Sequence, residues 1–293
     1  MIVYWNRQKQ KEEQELVYGD AGVRFLYENK LGHLLEETFL SRKLPSTLYG
    51  FYQSSQLSKK KIPPFIKAFN IPMDEYEKKD YTSFNDFFIR KFKPGARKFE
   101  TSPTKMAAFA EARYLAYEKI DLDQTFPVKG ADLTPEALLG RHDVARAFEG
   151  GSLLLARLCP VDYHRFHYPD DGRTWDSYRI HGKYHSVNPV ALKFNNEIFF
   201  QNERHVTILD TKHFGRIAYI EVGALLVGKI VQSHLRPDFK RGDEKGYFLF
   251  GGSTVIVLGE PGAWKPSADL LQKTQDRRET LVRLGEPIAE RLL

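Results

Sequence analysis

Ser253 lies in the stretch GYFLFGGSTVIVLG (246–259), where Gly251 and Gly252 break what otherwise reads as one buried strand. Glycine weakens a strand and marks a bend or a close backbone approach. As chemistry, the pair permits a strained peptide whose Gly252 carbonyl is open to attack by the Ser253 hydroxyl. As structure alone, it is a β-bulge with its hydroxyl in solvent. The Gly-x-Ser-x-Gly frame of a nucleophile elbow is missing. A second cluster is CPVDYHRFHYPDDG (159–172), with His164 and His167 three apart and Asp162 beside them. Pro160 and Pro169 argue for extended chain rather than a helix. Two histidines with no further acid or cysteine at ligand spacing make a poor zinc site, so no metal is expected. They read either as hydrogen-bonded structural histidines or as a general base for a serine hydroxyl with a second acid–base group. RGDEKGYF (241–248) reads as a charged turn leading into the strand that carries the serine.

These residues need a scaffold, and the sequence divides into two kinds of segment. Residues 1–80 read as mostly helical. Between Ala21 and Leu40, Val23, Leu26, Tyr27, Leu31, Leu34, Leu35 and Phe39 fall near one helical face. That face is expected to pack on the body of the protein, with a membrane interface as the sharper reading. TSFNDFFIRKFKPGAR (82–97) reads as a short helix with Ser83 and Asp86 as a capping box and Pro94-Gly95 as its end. After about residue 105 the pattern becomes short β-like runs: RYLAYEKI (113–120), SLLLARL (152–158), HVTIL (205–209), RIAYIEVGALLVGKIVQ (216–232) and TVIVLG (254–259). Gly223 and Gly228 divide the longest run into two strands with a bend, and 130–149 reads as a helical insert. The expected class is α+β: a mostly helical, lipid-associated region over 1–100, then a strand-rich sheet or sandwich body over 101–293.

The chain has 293 residues, 42% of them hydrophobic, ample for a sizeable core. Mean hydropathy is −0.47, and no apolar run approaches the ~18 residues of a membrane span. The opening MIVYWNRQKQKEEQ turns charged at once, unlike a signal peptide. Cys159 is the one cysteine, so an intrachain disulfide and a thiolate metal cluster are both excluded. A reducing, cytoplasm-facing location fits. Net charge is +6, with excess base in SRK (41–43), SKKKIPPFIK (58–67) and IRKFKPGARK (89–98). Interleaved with Phe, Ile and Leu, those patches suit an anionic membrane surface. No nucleic-acid-binding motif accompanies them.

Six blocks in order, FNDFFIRKFKPGAR, RLCPVDYHRFHYPDDG, IHGKYHSVNPVAL, YIEVGALLVGKI, EKGYFLFGGSTVIVL and ETLVRLGEPIAERL, resemble the phosphatidylserine decarboxylase proenzyme family. The resemblance covers about residue 80 to the C-terminus, and more loosely the N-terminal part. It implies that Ser253 attacks the Gly252 carbonyl and cuts the chain between Gly252 and Ser253. Residue 253 then becomes a pyruvoyl group, the self-derived cofactor that decarboxylates phosphatidylserine to phosphatidylethanolamine. It also implies His167 as the base of an Asp-His-Ser self-cleavage triad and His164 as the histidine for substrate and protonation. The partners implied are phosphatidylserine, an anionic membrane surface at its cytoplasmic face, the two cleaved fragments held as a heterodimer, and a homodimer of cleaved protomers. Glu111 stands where that family has the triad aspartate, and Ala112 where it has glycine. The longer glutamate shifts the carboxylate by about an ångström, a displacement that can cost ~100-fold in rate. Lys229 replaces a usually small residue, where it would bind phosphate, compete for the carbonyl or point to solvent, and whether Lys229 or Arg204 meets the headgroup stays open. Two other readings stay open: an uncut relative acting as a lipid-binding or scaffold protein, and a pyruvoyl decarboxylase of a free amino acid.

Overall fold

Strands buried on both faces need no polar–apolar alternation, and LLLARL (153–158) and STVIVLG (253–259) show none: every residue of both is buried. They lie at the middle of a ten-stranded sheet in the computed structural model, which describes residues 2–16, 18–120, 134–188, 191–192, 197–224, 229–251 and 253–292. Edge to edge, that sheet runs β11 (Asp238–Phe239), β7 (Gly172–Ile180), β8 (Arg204–Thr211), β9 (Arg216–Val222), β13 (Ser253–Gly259), β5 (Leu153–Leu158), β4 (Ala112–Tyr117), β15 (Glu279–Val282), β1 (Val3–Asn6) and β2 (Lys11–Gln14). Only the β1–β15 pair is parallel; the other pairs are antiparallel. β13 is hydrogen-bonded to β5 on one side and β9 on the other, with Ser253 opposite Leu158.

Each face of the central strands has its own cover. Leu153, Leu155, Ile208, Ile220 and Ile256 pack against Leu138 and Leu139 of α6 (Pro135–Leu139), Val144 and Ala145 of α7 (His142–Ala145), and Phe148. Leu154, Ala156, Tyr219, Val255 and Val257 pack on the opposite face beneath two small sheets. One contains β10 (Ile230–Gln232), β12 (Glu244–Phe248) and β6 (Arg165–His167), and the other β14 (Trp264–Pro266), β16 (Pro287–Arg291) and β3 (Lys105–Ala107). Burial of this kind is worth roughly 1.5–3 kcal/mol per large apolar side chain, so the sheet is the rigid part of the molecule.

The α+β expectation is met, and the expected strand runs form β4, β5, β8, β9 with β10, and β13. Residues 225–228, the bend between β9 and β10, and residues 130–133 of the helical insert lie outside the described residues. The first 14 residues depart from the helical reading: β1 and β2 form a hairpin at one edge of the main sheet. KQKEEQ carries no apolar periodicity because β2 is an exposed edge strand, held by backbone pairing to β1 and by polar contacts such as Asn6 Nδ2 donating to Glu13 at 2.7 Å. β7, the longest strand, was also not singled out. Its residues alternate between half-buried and exposed, but polar Thr174 and Asp176 fall on the half-buried side and Trp175 on the exposed one, which masks the period.

The helix expected over 21–40 breaks at Asn29 into α1 (Asp20–Glu28) and α2 (Lys30–Leu35), followed by a π turn over Glu36–Leu40. Asn29 Oδ1 accepts from the Leu31 and Gly32 N–H groups, starting the second helix. Gly32 lets the two helices meet, since a Cβ there would lie 2.0 Å from the Phe25 carbonyl oxygen. The expected packing of that face is only partly realised. Tyr27 is buried, while Leu31, Leu34 and Leu35 are exposed, as is Phe25 off that face. Leu44, Leu48 and Phe51 of α3 (Lys43–Ser54) and the nearby Leu57 are exposed too.

The helical region is nevertheless tied to the body. Tyr27 donates to Glu36, whose carboxylate also meets His185 Nδ1 at 2.8 Å. Ile62 and Phe65 of α4 (Ile62–Phe69) join Phe84, Phe87 and Phe88 of α5 (Phe84–Phe88) in a third core with Tyr163 and Phe250. Ser83 caps α5 by accepting from Asp86 N–H, but the Asp86 carboxylate reaches back to Thr82 rather than to Ser83, and α5 ends at Phe88, well before Pro94. Asn85 Oδ1 accepts the Phe250 N–H at 2.7 Å and its amide donates to Ser54 Oγ, so α5 anchors the segment that enters β13. Replacing Asn85 with alanine orphans the buried Phe250 N–H. We expect a loss of about 1–3 kcal/mol in urea denaturation, with an unchanged denaturant slope.

Candidate active site

Ser253 opens β13 and is fully buried. The residue two before it, Gly251, has φ +144°, a backbone that side chains rarely adopt. The glycine is therefore required by conformation, as its position in the sequence suggests. Gly252, the acyl side of the expected cut, lies outside the described residues. Ser253 Oγ is 3.2 Å from His164 Nδ1. The other ring nitrogen, His164 Nε2, is 2.8 Å from the Cys159 carbonyl oxygen. A carbonyl only accepts, so Nε2 carries the proton and Nδ1 turns a lone pair to the serine hydroxyl. Phe88 stacks on the imidazole, ring centroids 3.9 Å apart. Burial lowers the His164 pKa to about 3, with the Arg90 guanidinium adding to the effect against the Cys159 hydrogen bond. The imidazole is thus neutral at neutral pH.

Of the two histidines, it is His164 that meets the serine. His167, the last residue of β6, donates from Nδ1 to the Gly242 carbonyl at 2.9 Å. Its Nε2 is buried and has no hydrogen-bond partner among the described residues. Burial lowers its pKa as well. Glu111 reaches neither ring by a hydrogen bond among the described residues. Its Oε1 accepts from Arg97 Nη2 at 2.7 Å, and its Oε2 accepts from the Leu284 N–H. Arg97 also binds Glu75, at 2.7 Å. Ala112, in the place of the expected glycine, opens β4 without a positive φ.

Sequence reasoning named Asp162 only as a neighbour of the histidines. Its Oδ2 accepts from Arg113 Nη1 at 2.6 Å and from the Cys159 N–H at 2.7 Å. Phe88 and Asn85 were not singled out as site residues; their signal was a capped helix rich in phenylalanine. A cavity of about 230 Å³ opens beside the serine's strand, lined by Tyr18, Leu26, Tyr49, Val187, Phe250 and Gly251 among others, and its wall is mostly apolar. Arg204 is not free for a ligand: its guanidinium donates to the carbonyls of Ala137, Leu138, Phe200 and Asn202. Lys229 is exposed, and its carbonyl accepts from Leu249 N–H.

The family model described as phosphatidylserine decarboxylase matches residues 84–290. The chain is 41% identical over 294 residues to the phosphatidylserine decarboxylase proenzyme of Desulfitobacterium hafniense (strain DSM 10664 / DCB-2), covering 99% of each chain. It is 40% identical to the proenzyme of the same name from Ruminiclostridium cellulolyticum, over 98% of this chain and 97% of that one. The same identity holds for that of Fusobacterium nucleatum subsp. nucleatum, over 97% and 96%.

The depressed His164 pKa has a defined consequence for stability. Above pH 6.5 the imidazole is neutral in both the folded and the unfolded chain. As pH falls from 6.5 toward 3, the unfolded chain takes up a proton that the folded chain refuses, so stability is lost across that window. For the Ser253→Ala chain this amounts to about 2 kcal/mol between pH 7 and pH 5. Urea denaturation at the two pH values measures it, and in Ser253→Ala/His164→Gln the His164 share is expected to vanish, leaving the dependence that the buried His167 contributes with the same sign.

Proposed function

This chain belongs to the phosphatidylserine decarboxylase family, and we propose that it is a proenzyme that cuts itself before Ser253 and then decarboxylates phosphatidylserine. The observation that carries the reading is the neutral His164 with its lone pair 3.2 Å from a buried serine hydroxyl, two residues beyond a glycine at φ +144°. His164 Nδ1 takes the hydroxyl proton as Oγ attacks the Gly252 carbonyl. The amide N–C bond breaks, the nitrogen gains a proton, and an ester joins Gly252 to Ser253 Oγ. Loss of the Cα proton of residue 253 expels the Gly252 carboxylate and leaves a dehydroalanine. Tautomerisation and uptake of one water release ammonia and leave the pyruvoyl group at the head of a 253–293 fragment.

The site fits that group: residue 253 is buried, flanked by Phe88-stacked His164, and next to a mostly apolar cavity. When formed, the pyruvoyl carbonyl supplies the electron sink that carboxyl loss requires and that protein side chains lack. The resemblance assigns the base to His167 and substrate protonation to His164; the uncut geometry supports His164 for the first step. His167, neutral with Nε2 unpartnered among the described residues, suits the second imidazole role. Glu111, held by Arg97 and Leu284, orders the β4 entry rather than an imidazole.

The substrate's lipid nature is supported by the apolar cavity and by the exposed leucines of α2 and α3. Lys30, Arg42, Lys59 and Lys60 are exposed in the same region. Apolar side chains beside basic ones suit shallow insertion into an anionic leaflet. No helix among the described residues is long and apolar enough to cross a membrane. The N-terminal third thus serves as a peripheral membrane face over a β-rich catalytic body, and the homodimer and the cytoplasmic face stay part of this reading.

Intact mass after expression tests the cut: two fragments split before Ser253, the smaller with the pyruvoyl mass, and one chain of 33.9 kDa for Ser253→Ala. His164→Gln is expected to slow fragment formation at least about 100-fold, and His167→Gln to depress decarboxylation more than cutting. An uncut wild-type chain in the presence of phosphatidylserine vesicles would replace this reading with that of a lipid-binding scaffold. Turnover of free serine instead of phosphatidylserine would replace the lipid substrate. On the membrane side, Leu48→Glu/Phe51→Glu/Leu57→Glu should abolish flotation with anionic vesicles while leaving the self-cut intact; retained flotation would move the contact elsewhere.

A further inference from the structure

We propose that Tyr27, Glu36 and His185 are positioning residues for the substrate: buried together, they hold the segment 184–188 against the N-terminal helices as one wall of the cavity beside Ser253. The inference rests on that cavity receiving phosphatidylserine, as proposed above. Ser186, Val187 and Asn188 line the cavity together with Leu26 of α1 and Tyr49 of α3. Glu36 and His185 are 149 residues apart in sequence, yet one carboxylate oxygen joins them. Glu36 Oε1 accepts from the Tyr27 hydroxyl and from His185 Nδ1, each at 2.8 Å. The Tyr27 hydroxyl in turn accepts the Ser186 N–H at 2.9 Å. The Tyr184 N–H donates to the Ser41 carbonyl, just past the π turn, at 2.9 Å. On the body side, Asn202 accepts the His185 N–H and donates to the carbonyls of His185 and Gly223, all at 2.8 Å. Three consecutive residues are thus pinned, and the next two are cavity wall.

Joining helices to a body does not require such a set. Glu36 and His185 are each 1% exposed, and apolar side chains of similar volume often serve as well as a buried polar pair. What the polar set adds is direction. Hydrogen bonds have narrow geometry, so they fix the backbone at Ser186 and with it the side chains of Val187 and Asn188. Glu36 also directly follows Leu34 and Leu35, which are exposed on the face proposed above to meet the leaflet. The residue that sets the wall therefore stands at the end of the helix that meets lipid. Ser253, His164 and His167 hydrogen-bond elsewhere, so the self-cut is expected to proceed without the cluster.

The test uses the full chain in two forms. In otherwise wild-type protein, Glu36→Ala should still cut at near the wild-type rate. On phosphatidylserine dispersed in a neutral detergent it should lose about 30-fold in kcat/KM, mostly through KM, the scale on which a misfitting apolar pocket loses its ligand. Detergent dispersion keeps vesicle binding out of KM. Glu36→Gln keeps an acceptor for Tyr27 and His185 and should cost about threefold, a partial rescue. Tyr27→Phe, which frees the Ser186 N–H, should fall between the two. In the uncut Ser253→Ala background, Glu36→Ala should speed hydrogen exchange of the 184–187 amides at least about tenfold and leave flotation with anionic vesicles intact. Thr274→Ala removes a different buried hydrogen bond, from the Ala116 N–H, and should leave exchange of those amides and KM near wild type. A folded Glu36→Ala chain with unchanged KM, with its loss in kcat alone, or with the 184–187 amides exchanging as before overturns the proposal. Lost flotation makes the cluster part of membrane docking and overturns it too. Insoluble protein from all three variants assigns the cluster to folding alone, with the same result. A wild-type chain that cuts but leaves phosphatidylserine unchanged defeats the substrate reading separately, because exchange in the Ser253→Ala chain requires no turnover.

Discussion

One backbone carbonyl fixes how the imidazole beside the buried serine is turned. Cys159 offers its oxygen to two donors, the Asp162 N–H and His164 Nε2, at 2.9 and 2.8 Å. Because that oxygen can only accept, it decides which ring nitrogen holds the proton, and so decides that Nδ1 faces Ser253 with a lone pair. Desolvation then keeps the ring neutral. A carboxylate in the same place would favour the charged imidazolium; a neutral carbonyl leaves it unfavourable. The imidazole is thus a weak base, and the reaction proposed for it is needed only once per chain. A residue used once has no need of a base tuned to turnover.

The arms of that carbonyl are set by packing far from it. β13 sits between β5 and β9, buried on both faces, which fixes Ser253 to within the tolerance of a core strand. The histidine stands just before β6 of the small sheet on one side of it, and the lid on the histidine, Phe88, comes from a five-residue helix of the N-terminal third. Asn85 on that helix bonds the backbone of Phe250. The helical region therefore presents apolar side chains outward and completes the catalytic wall inward. The same segment, through Leu16 and Leu26, borders the cavity beside Gly251.

Much of the sheet was legible because its central strands are short, aliphatic and bounded by glycine or charge. The hairpin of residues 3–14 was not, since an exposed edge strand such as KEEQ has no burial to imprint a period. Asn29 and Gly32 carried the break in the first helix, but a single asparagine within an apolar pattern is ambiguous until the collision of a Cβ with Phe25 is seen. At the site, Ser253, His164, His167 and the glycine pair were visible from residue type alone. Which histidine faces the serine was not, because it depends on where a turn places one carbonyl. The ion pair between Glu111 and Arg97 joins residues 14 apart in sequence, yet charge alone offers Arg97 several acids. Geometry, not composition, selects Glu111.

The order of strands has a consequence for the history of the molecule. A chain divided before residue 253 leaves β13 clamped between β5 and β9, and β15 between β4 and β1, all four neighbours belonging to the other piece. Such a sheet is assembled while the two pieces are still one polymer, when finding the partner strand is a matter of local search. Once divided and then unfolded, the pieces must find each other in solution, and the short one must thread two separate gaps in a sheet that cannot close without it. Unfolding then becomes a one-way event, and the lifetime of the divided protein is set by its unfolding rate rather than by an equilibrium constant. The scission erases the instruction for its own assembly.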